Sequence, residues 1–282
     1  MSYRLMASFP LTGPLPGGSL RPSRNGLSEH FRLRFRLPLT VYGRRELALW
    51  GGLCLAAFVV CAGLGPWLRQ PGLSIASLVP LAGLAFFLNF FRDPERTPPE
   101  GPATLVSPAD GRVTDILEVD EPEYVGGRAV RVGIFMSPFD VHVNRYPVDG
   151  RVEHASHRPG LFLAAYDARA PLENEARSLG IAARLPDREF RVLVRQISGV
   201  AARRIVCPVQ PGAEARRGER FGMIKLGSRC ELYLPRELGA EIAVRVGDRV
   251  RAGETPLARV PSPPRAPSRR ERGVENVEVR SK

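Results

Sequence analysis

Two consecutive stretches without a charged side chain limit what this chain can fold into. Leu47–Leu68 reads LALWGGLCLAAFVVCAGLGPWL, and Leu73–Phe91 comes after only Arg69-Gln70-Pro71-Gly72. A helix needs about 20 apolar residues to cross a bilayer, and both runs are close to that length. Both are apolar on every face, whereas a helix lying on a soluble core needs only one apolar stripe. Pro71 and Gly72 make a tight connection between them. The expected element is a membrane-associated helical hairpin over 45–92, with a buried hairpin of a soluble core as the alternative. A signal peptide fits poorly, because the first run starts late and a second succeeds it at once. Arg44 and Arg45 precede the hairpin, and Arg92 and Arg96 lie beyond it. The positive-inside rule then puts both ends, and the domain behind them, on the cytoplasmic side of the cell (inner) membrane.

Charge points the same way. Among 282 residues, 41 are Lys or Arg and 29 are Asp or Glu, a net charge of +12. Much of the excess lies in an arginine-rich arm (1–44) and tail (261–282), both with the composition of flexible segments. A basic balance selects an anionic partner. No aromatic-basic strand pair and no zinc-finger spacing is present, so nucleic acid is disfavoured and an acidic membrane surface preferred. Cys54, Cys61, Cys207 and Cys230 form no CxxC pair, which suits a reducing compartment rather than a disulfide framework.

From about Thr104 to Val260 the pattern changes to short β segments punctuated by Asp-Gly and Gly-Asp turns. This predicts a mainly β (α+β) domain over 93–260, a compact sandwich or barrel-like body. SPADGRV (Ser107–Val113) and YPVDGRV (Tyr146–Val152) echo one another, which suggests duplicated β units. Val244–Val260 has the V-x-x-G-D-x-V-x-x-G rhythm of swinging-arm carrier domains, but no lysine stands at the turn.

Few residues can do chemistry. His142 comes after an apolar strand, among turn residues; such a histidine is either an acid-base group or a structural hydrogen-bonder. His154 and His157 lack a third ligand and helical spacing, so no metal site is expected. In RFGMIKLGSRCELYLP (Arg220–Pro235), Gly227-Ser228 interrupts a β run. By itself the pair reads as a hairpin turn or as a close backbone approach.

FFRDPER, SPADGRV, MSPFDVHVNRYPVDGRV, LENE and GMIKLGSR together resemble the phosphatidylserine decarboxylase proenzyme family in its short bacterial form, over about Phe90 to Val260. The resemblance implies self-cleavage between Gly227 and Ser228. The products are a β chain (1–227) and an α chain (228–282), a heterodimer whose cofactor is a pyruvoyl group made from Ser228. It implies a Schiff base with the amine of phosphatidylserine in an anionic membrane, and release of phosphatidylethanolamine and carbon dioxide. It assigns catalytic roles to Ser228, His142 and Asp110, the last as the carboxylate orienting His142. Longer relatives carry a second histidine three positions after the first; here that position is Arg145. A pyruvoyl decarboxylase of a soluble amino acid, or a non-catalytic anchored β module, are the competing readings.

Overall fold

The computed structural model describes residues 38–101, 103–163, 167, 169–185, 187–199, 204–225 and 228–261. The arginine-rich arm up to residue 37, the tail from 262, and Leu226 and Gly227 fall outside them.

Helix α1 (Val41–Trp67) and helix α2 (Pro71–Phe90) are the expected hairpin, each long and apolar enough to cross a membrane, with few of their side chains buried. Leu53, Val59, Val60, Leu78 and Val79 are all exposed. Contiguous exposed apolar surface of this kind marks a contact with a membrane or another protein.

Fourteen strands are described after the hairpin: β1 (Thr104–Val106), β2 (Gly111–Glu121), β3 (Gly127–Met136), β4 (Val143–Arg145), β5 (Gly150–Arg158), β6 (Ala176–Arg184), β7 (Glu189–Ile197), β8 (Arg204–Val206), β9 (Glu214–Ala215), β10 (Arg220–Lys225), β11 (Ser228–Pro235), β12 (Glu241–Ile242), β13 (Arg249–Val250) and β14 (Pro256–Arg259). A short helix, α3 (Ala170–Glu173), lies between β5 and β6, and a 3-10 turn (Arg236–Leu238) comes after β11. The domain is mainly β, as its punctuated sequence predicts.

Eight strands form one sheet in the order β13-β2-β3-β11-β7-β6-β5-β9, and two three-stranded sheets (β1-β14-β12 and β4-β10-β8) accompany it. Val132, Ile134, Cys230, Leu232 and Val194 from the large sheet share one apolar cluster with Leu105, Phe221, Ile224 and Leu257 from the small ones. At ~1.5–3 kcal/mol per fully buried aliphatic or aromatic side chain, this cluster is the main source of stability.

The sequence echo is a structural duplication. Gly111 pairs with Val250 and Arg112 with Arg249; Gly150 pairs with Ala215 and Arg151 with Glu214. The carboxylate before each glycine caps its partner strand: Asp110 accepts from Ala252 N at 2.7 Å, and Asp149 from Arg217 N at 2.8 Å. Val113 N donates to Asp248 O as Val152 N donates to Ala213 O, and Gly247 N to Val113 O as Gly212 N to Val152 O. Both turn glycines are required by crowding, since a Cβ at Gly111 would strike the Phe135 carbonyl and one at Gly150 that of Ala182. β11 lies between the two halves, paired to β3 on one side and β7 on the other.

Candidate active site

β10 and β11 do not pair with each other as a hairpin. β10 belongs to a small sheet, between β4 and β8, while β11 belongs to the large one. The chain therefore changes sheets between Lys225 and Ser228. Ser228 is the first residue of β11, fully buried and opposite Met136 at the end of β3. Its Oγ has no hydrogen-bond partner among the described residues. A buried hydroxyl without a partner costs about 1–3 kcal/mol, so its persistence calls for a reason other than stability.

His142 is placed by the turn that leaves β3. Ser137-Pro138-Phe139-Asp140 has proline at the second position, where its fixed φ favours a turn. Asp140 Oδ2 accepts from Ser137 N at 2.8 Å and closes it. The chain then enters β4, and the His142 carbonyl accepts from Ile224 N, four residues before Ser228, at 3.2 Å. The ring is wholly buried. Its Nδ1 lies 2.9 Å from the Asp140 carbonyl oxygen. A carbonyl only accepts, so Nδ1 carries the proton and Nε2 presents a lone pair. That Nε2 is also without a partner among the described residues. The Phe90 ring, at the end of α2, stands 4.4 Å from the imidazole between centroids. Desolvation pushes the His142 pKa down to about 4, so the ring is a neutral base at physiological pH.

Asp110 is buried at the start of the first repeat, and no hydrogen bond joins it to His142 among the described residues. Oδ1 is held by Ala252 N, and Oδ2 accepts from Arg96 at 3.0 Å. Burial raises its pKa, opposed by the Ala252 N–H and Arg96 and reinforced by the neighbouring Asp140 charge. Asp110 and Asp140 line the same cavity. Arg145, at the position of the second histidine in longer relatives, is a structural clamp. It is almost fully buried and donates to Gly218 O at 2.8 Å, Pro94 O at 2.8 Å and Asp93 at 3.2 Å. His154 and His157 sit elsewhere on the large sheet, against Glu123 and Glu175.

Several polar groups near the site escape a reading by motif. Gln196 donates to Asn144 Oδ1 at 2.7 Å, and Asn144 donates to the Pro108 carbonyl at 3.2 Å. This buried link ties the Asp110 turn to the His142 strand and to β7. Arg229 pairs with Ile197, so Ser198 is the next position alongside Ser228; its Oγ is also buried and unpartnered among the described residues. Asn144, Gln196 and Ser198 carry no local signal in the sequence.

A hydroxyl at a sheet switch, a desolvated neutral histidine and a carboxylate-lined cavity beside an apolar helical hairpin define a β-rich protein with a candidate acid-base site. The phosphatidylserine decarboxylase family model matches residues 84–258. Proteins named phosphatidylserine decarboxylase proenzyme are similar to this chain. That of Prosthecochloris aestuarii is 46% identical over 78% of this chain and 97% of its own. That of Symbiobacterium thermophilum is 50% identical over 64% of this chain and 82% of its own, and that of Salinibacter ruber 46% over 70% and 84%. The chain belongs to the phosphatidylserine decarboxylase family, whose members are carboxy-lyases.

Proposed function

We propose that this protein converts phosphatidylserine to phosphatidylethanolamine and carbon dioxide after cutting itself between Gly227 and Ser228. The observation that carries the reading is the pair of buried atoms without partners among the described residues, Ser228 Oγ and His142 Nε2, at the junction of the two sheets. His142 Nε2 takes the Ser228 hydroxyl proton. Oγ attacks the Gly227 carbonyl, and the amide becomes an ester as the Ser228 nitrogen leaves with a proton. Loss of the Ser228 α-proton then breaks the Cβ–Oγ bond, freeing the Gly227 carboxylate and leaving dehydroalanine. Water converts that to a pyruvoyl group and ammonia. The pyruvoyl group supplies the electron sink for decarboxylation, and its formation fits a Ser228 side chain that sits in a dry, partnerless position. His142 Nε2, shielded by Phe90, takes up a proton released by the substrate ammonium group and returns it to the substrate α-carbon once carbon dioxide has left. Asp110 contributes charge to the cavity and fixes the turn beside it.

The domain organisation is then an arginine-rich arm (1–44), a helical hairpin associated with the inner membrane (45–92), a catalytic body on its cytoplasmic side (93–260) and a basic tail (261–282). The substrate is a lipid, so an anchored body need never release it to water. Intact mass spectrometry of purified protein should find two fragments, the smaller starting at residue 228 with a blocked N-terminus, and Ser228→Ala should stay uncut. A single uncut chain in active, folded wild-type protein would end this reading. Turnover of phosphatidylserine but not free serine separates it from a soluble amino-acid decarboxylase.

A further inference from the structure

A cavity of about 680 Å³ opens beside Asp110, Ser137 and Asp140. Arg92, Arg96, Arg249 and Arg251 also line it, so four arginines and two aspartates share its wall. The arginines are not equally occupied. Arg96 is held by Asp110 at 3.0 Å and Glu254 at 2.7 Å. Arg92 donates to the neutral carbonyls of Asn89 and Phe139, both at 2.7 Å, and acts on Asp110 only at longer range. The carboxylate nearest Arg251 is Glu254, at 3.9 Å and already shared with Arg96. Arg249 has no ion pair among the described residues. Both Arg249 and Arg251 are exposed at the rim.

We propose that this cavity holds the phosphodiester of the lipid headgroup, with Arg249 and Arg251 as its charge-assisted contacts; the proposal rests on the decarboxylase reading above. The position suits it at both ends. Ser137 comes directly after Met136, the register partner of Ser228. Phe139 lines the cavity, is 70% exposed, and meets Phe86 of α2 edge to face at 6.4 Å. A headgroup lying here would run from the membrane hairpin to the reacting residue. The phosphate is a better match for the arginines than the substrate carboxylate. A carboxylate gripped by guanidinium groups is stabilised in the ground state, and that stabilisation vanishes as neutral carbon dioxide leaves. An unreacting phosphate can be bound tightly and equally throughout, lowering KM without slowing the chemistry.

The test compares wild type with Arg249→Ala/Arg251→Ala, using short-chain phosphatidylserine in neutral detergent and inorganic phosphate as inhibitor and calorimetric probe. The variant should cut itself normally, keep kcat within about twofold and raise KM by about tenfold, the loss expected for charge-assisted contacts. Phosphate should inhibit wild type competitively, and its binding should weaken in parallel in the variant. Arg249→Lys/Arg251→Lys should recover part of the KM. Arg184→Ala/Arg188→Ala, which removes the same charge on the β6–β7 turn, should change nothing. Unchanged KM, an equal effect from the control pair, or weakened phosphate binding with unaltered lipid KM would each overturn the subsite. If wild type is cut but turns over no lipid, while calorimetry still shows phosphate lost in the variant, the anion site stands and the decarboxylase reading falls.

Discussion

At the scale of single residues, the unusual feature is a histidine kept neutral by dryness. Its pKa is about 4 in the fold against 6.5 in the unfolded chain. The folded value is the lower one, so as pH falls from about 6.5 to about 4 only the unfolded chain takes up a proton. Stability is full above that window and is lost through it, by about 3 kcal/mol in all. The same shift governs maturation. With His142 as base, self-cleavage should be flat from about pH 8 to pH 5 and fall only near pH 4. Quenched time points on gels across pH will show this, and an acid limb centred on 6.5 would argue for a hydrated or different base. Asp110 has two separable duties. Asp110→Asn keeps an oxygen for Ala252 N, as the equivalent Asp149 turn requires, but removes the charge facing Arg96. Asp110→Ala removes both. The first variant should fold with near-normal stability and show slowed cleavage or turnover; the second should also lose about 1–2 kcal/mol in denaturation. Equal wild-type rates in both would dismiss a chemical role for Asp110. Ser228 and His142 were legible because each stands in a short motif whose chemistry needs that residue type. The Asp110–His142 pairing drawn from the resemblance is not a hydrogen bond here, because the repeat uses Asp110 to cap its neighbouring strand.

At the scale of elements, the strand pattern was readable and the strand partners were not. Alternating apolar residues mark β10 and β11 in the sequence, and a glycine between them suggests a hairpin. Which sheet each joins is decided by contacts far away in sequence, with β4 and β8 for one and β3 and β7 for the other. The duplication was half visible. P-x-D-G-R-V showed itself at residues 108–113 and 147–152. Its partners, the G-x-x-x-R-x-G-E stretches at 212–219 and 247–254, differ too much around their glycines to stand out until pairing aligns them. If the chain is cut at Ser228 as proposed, the sheet switch also determines the fate of the two fragments. β11 keeps eight register positions with β3 and five with β7, and Cys230, Leu232 and Leu234 lie in the core. The new fragment starting at Ser228 therefore begins as a central strand, not as a loose end. The two chains should co-elute in size exclusion under native conditions and separate only in denaturant. Dissociation in plain buffer would mean that β11 is not held as described.

At the scale of the whole molecule, the hairpin is one wall of the candidate site and, in the proposed reading, also the anchor. Its apolar faces give membrane affinity that salt should not reverse, whereas arginines near an anionic surface add only about 1 kcal/mol each and are screened. Full-length protein should therefore stay with membranes in high salt. The sequence placed a boundary near residue 92 because charge returns there. In the structure α2 ends at Phe90, and the base of the hairpin packs on the β domain. Phe90 and Phe91 are buried against Met223, Lys225 binds Glu46 at 2.6 Å, and Thr40 N donates to Phe91 O at 2.9 Å. Phe90 then covers the His142 ring. Removing that ring should let water reach the imidazole and return its pKa towards 6.5, since desolvation is the main cause of the shift. Phe90→Ala should thus mature at the wild-type rate near pH 8 and progressively more slowly below pH 7, its acid limb displaced upward by about two units. Truncation of residues 1–91 should share this defect even in detergent, where anchoring is irrelevant, while Leu78→Ala on the exposed face of α2 should leave the profile in place. If Phe90→Ala keeps the wild-type acid limb, the dryness of His142 comes from the β domain alone, and the hairpin is an anchor without a share in the chemistry.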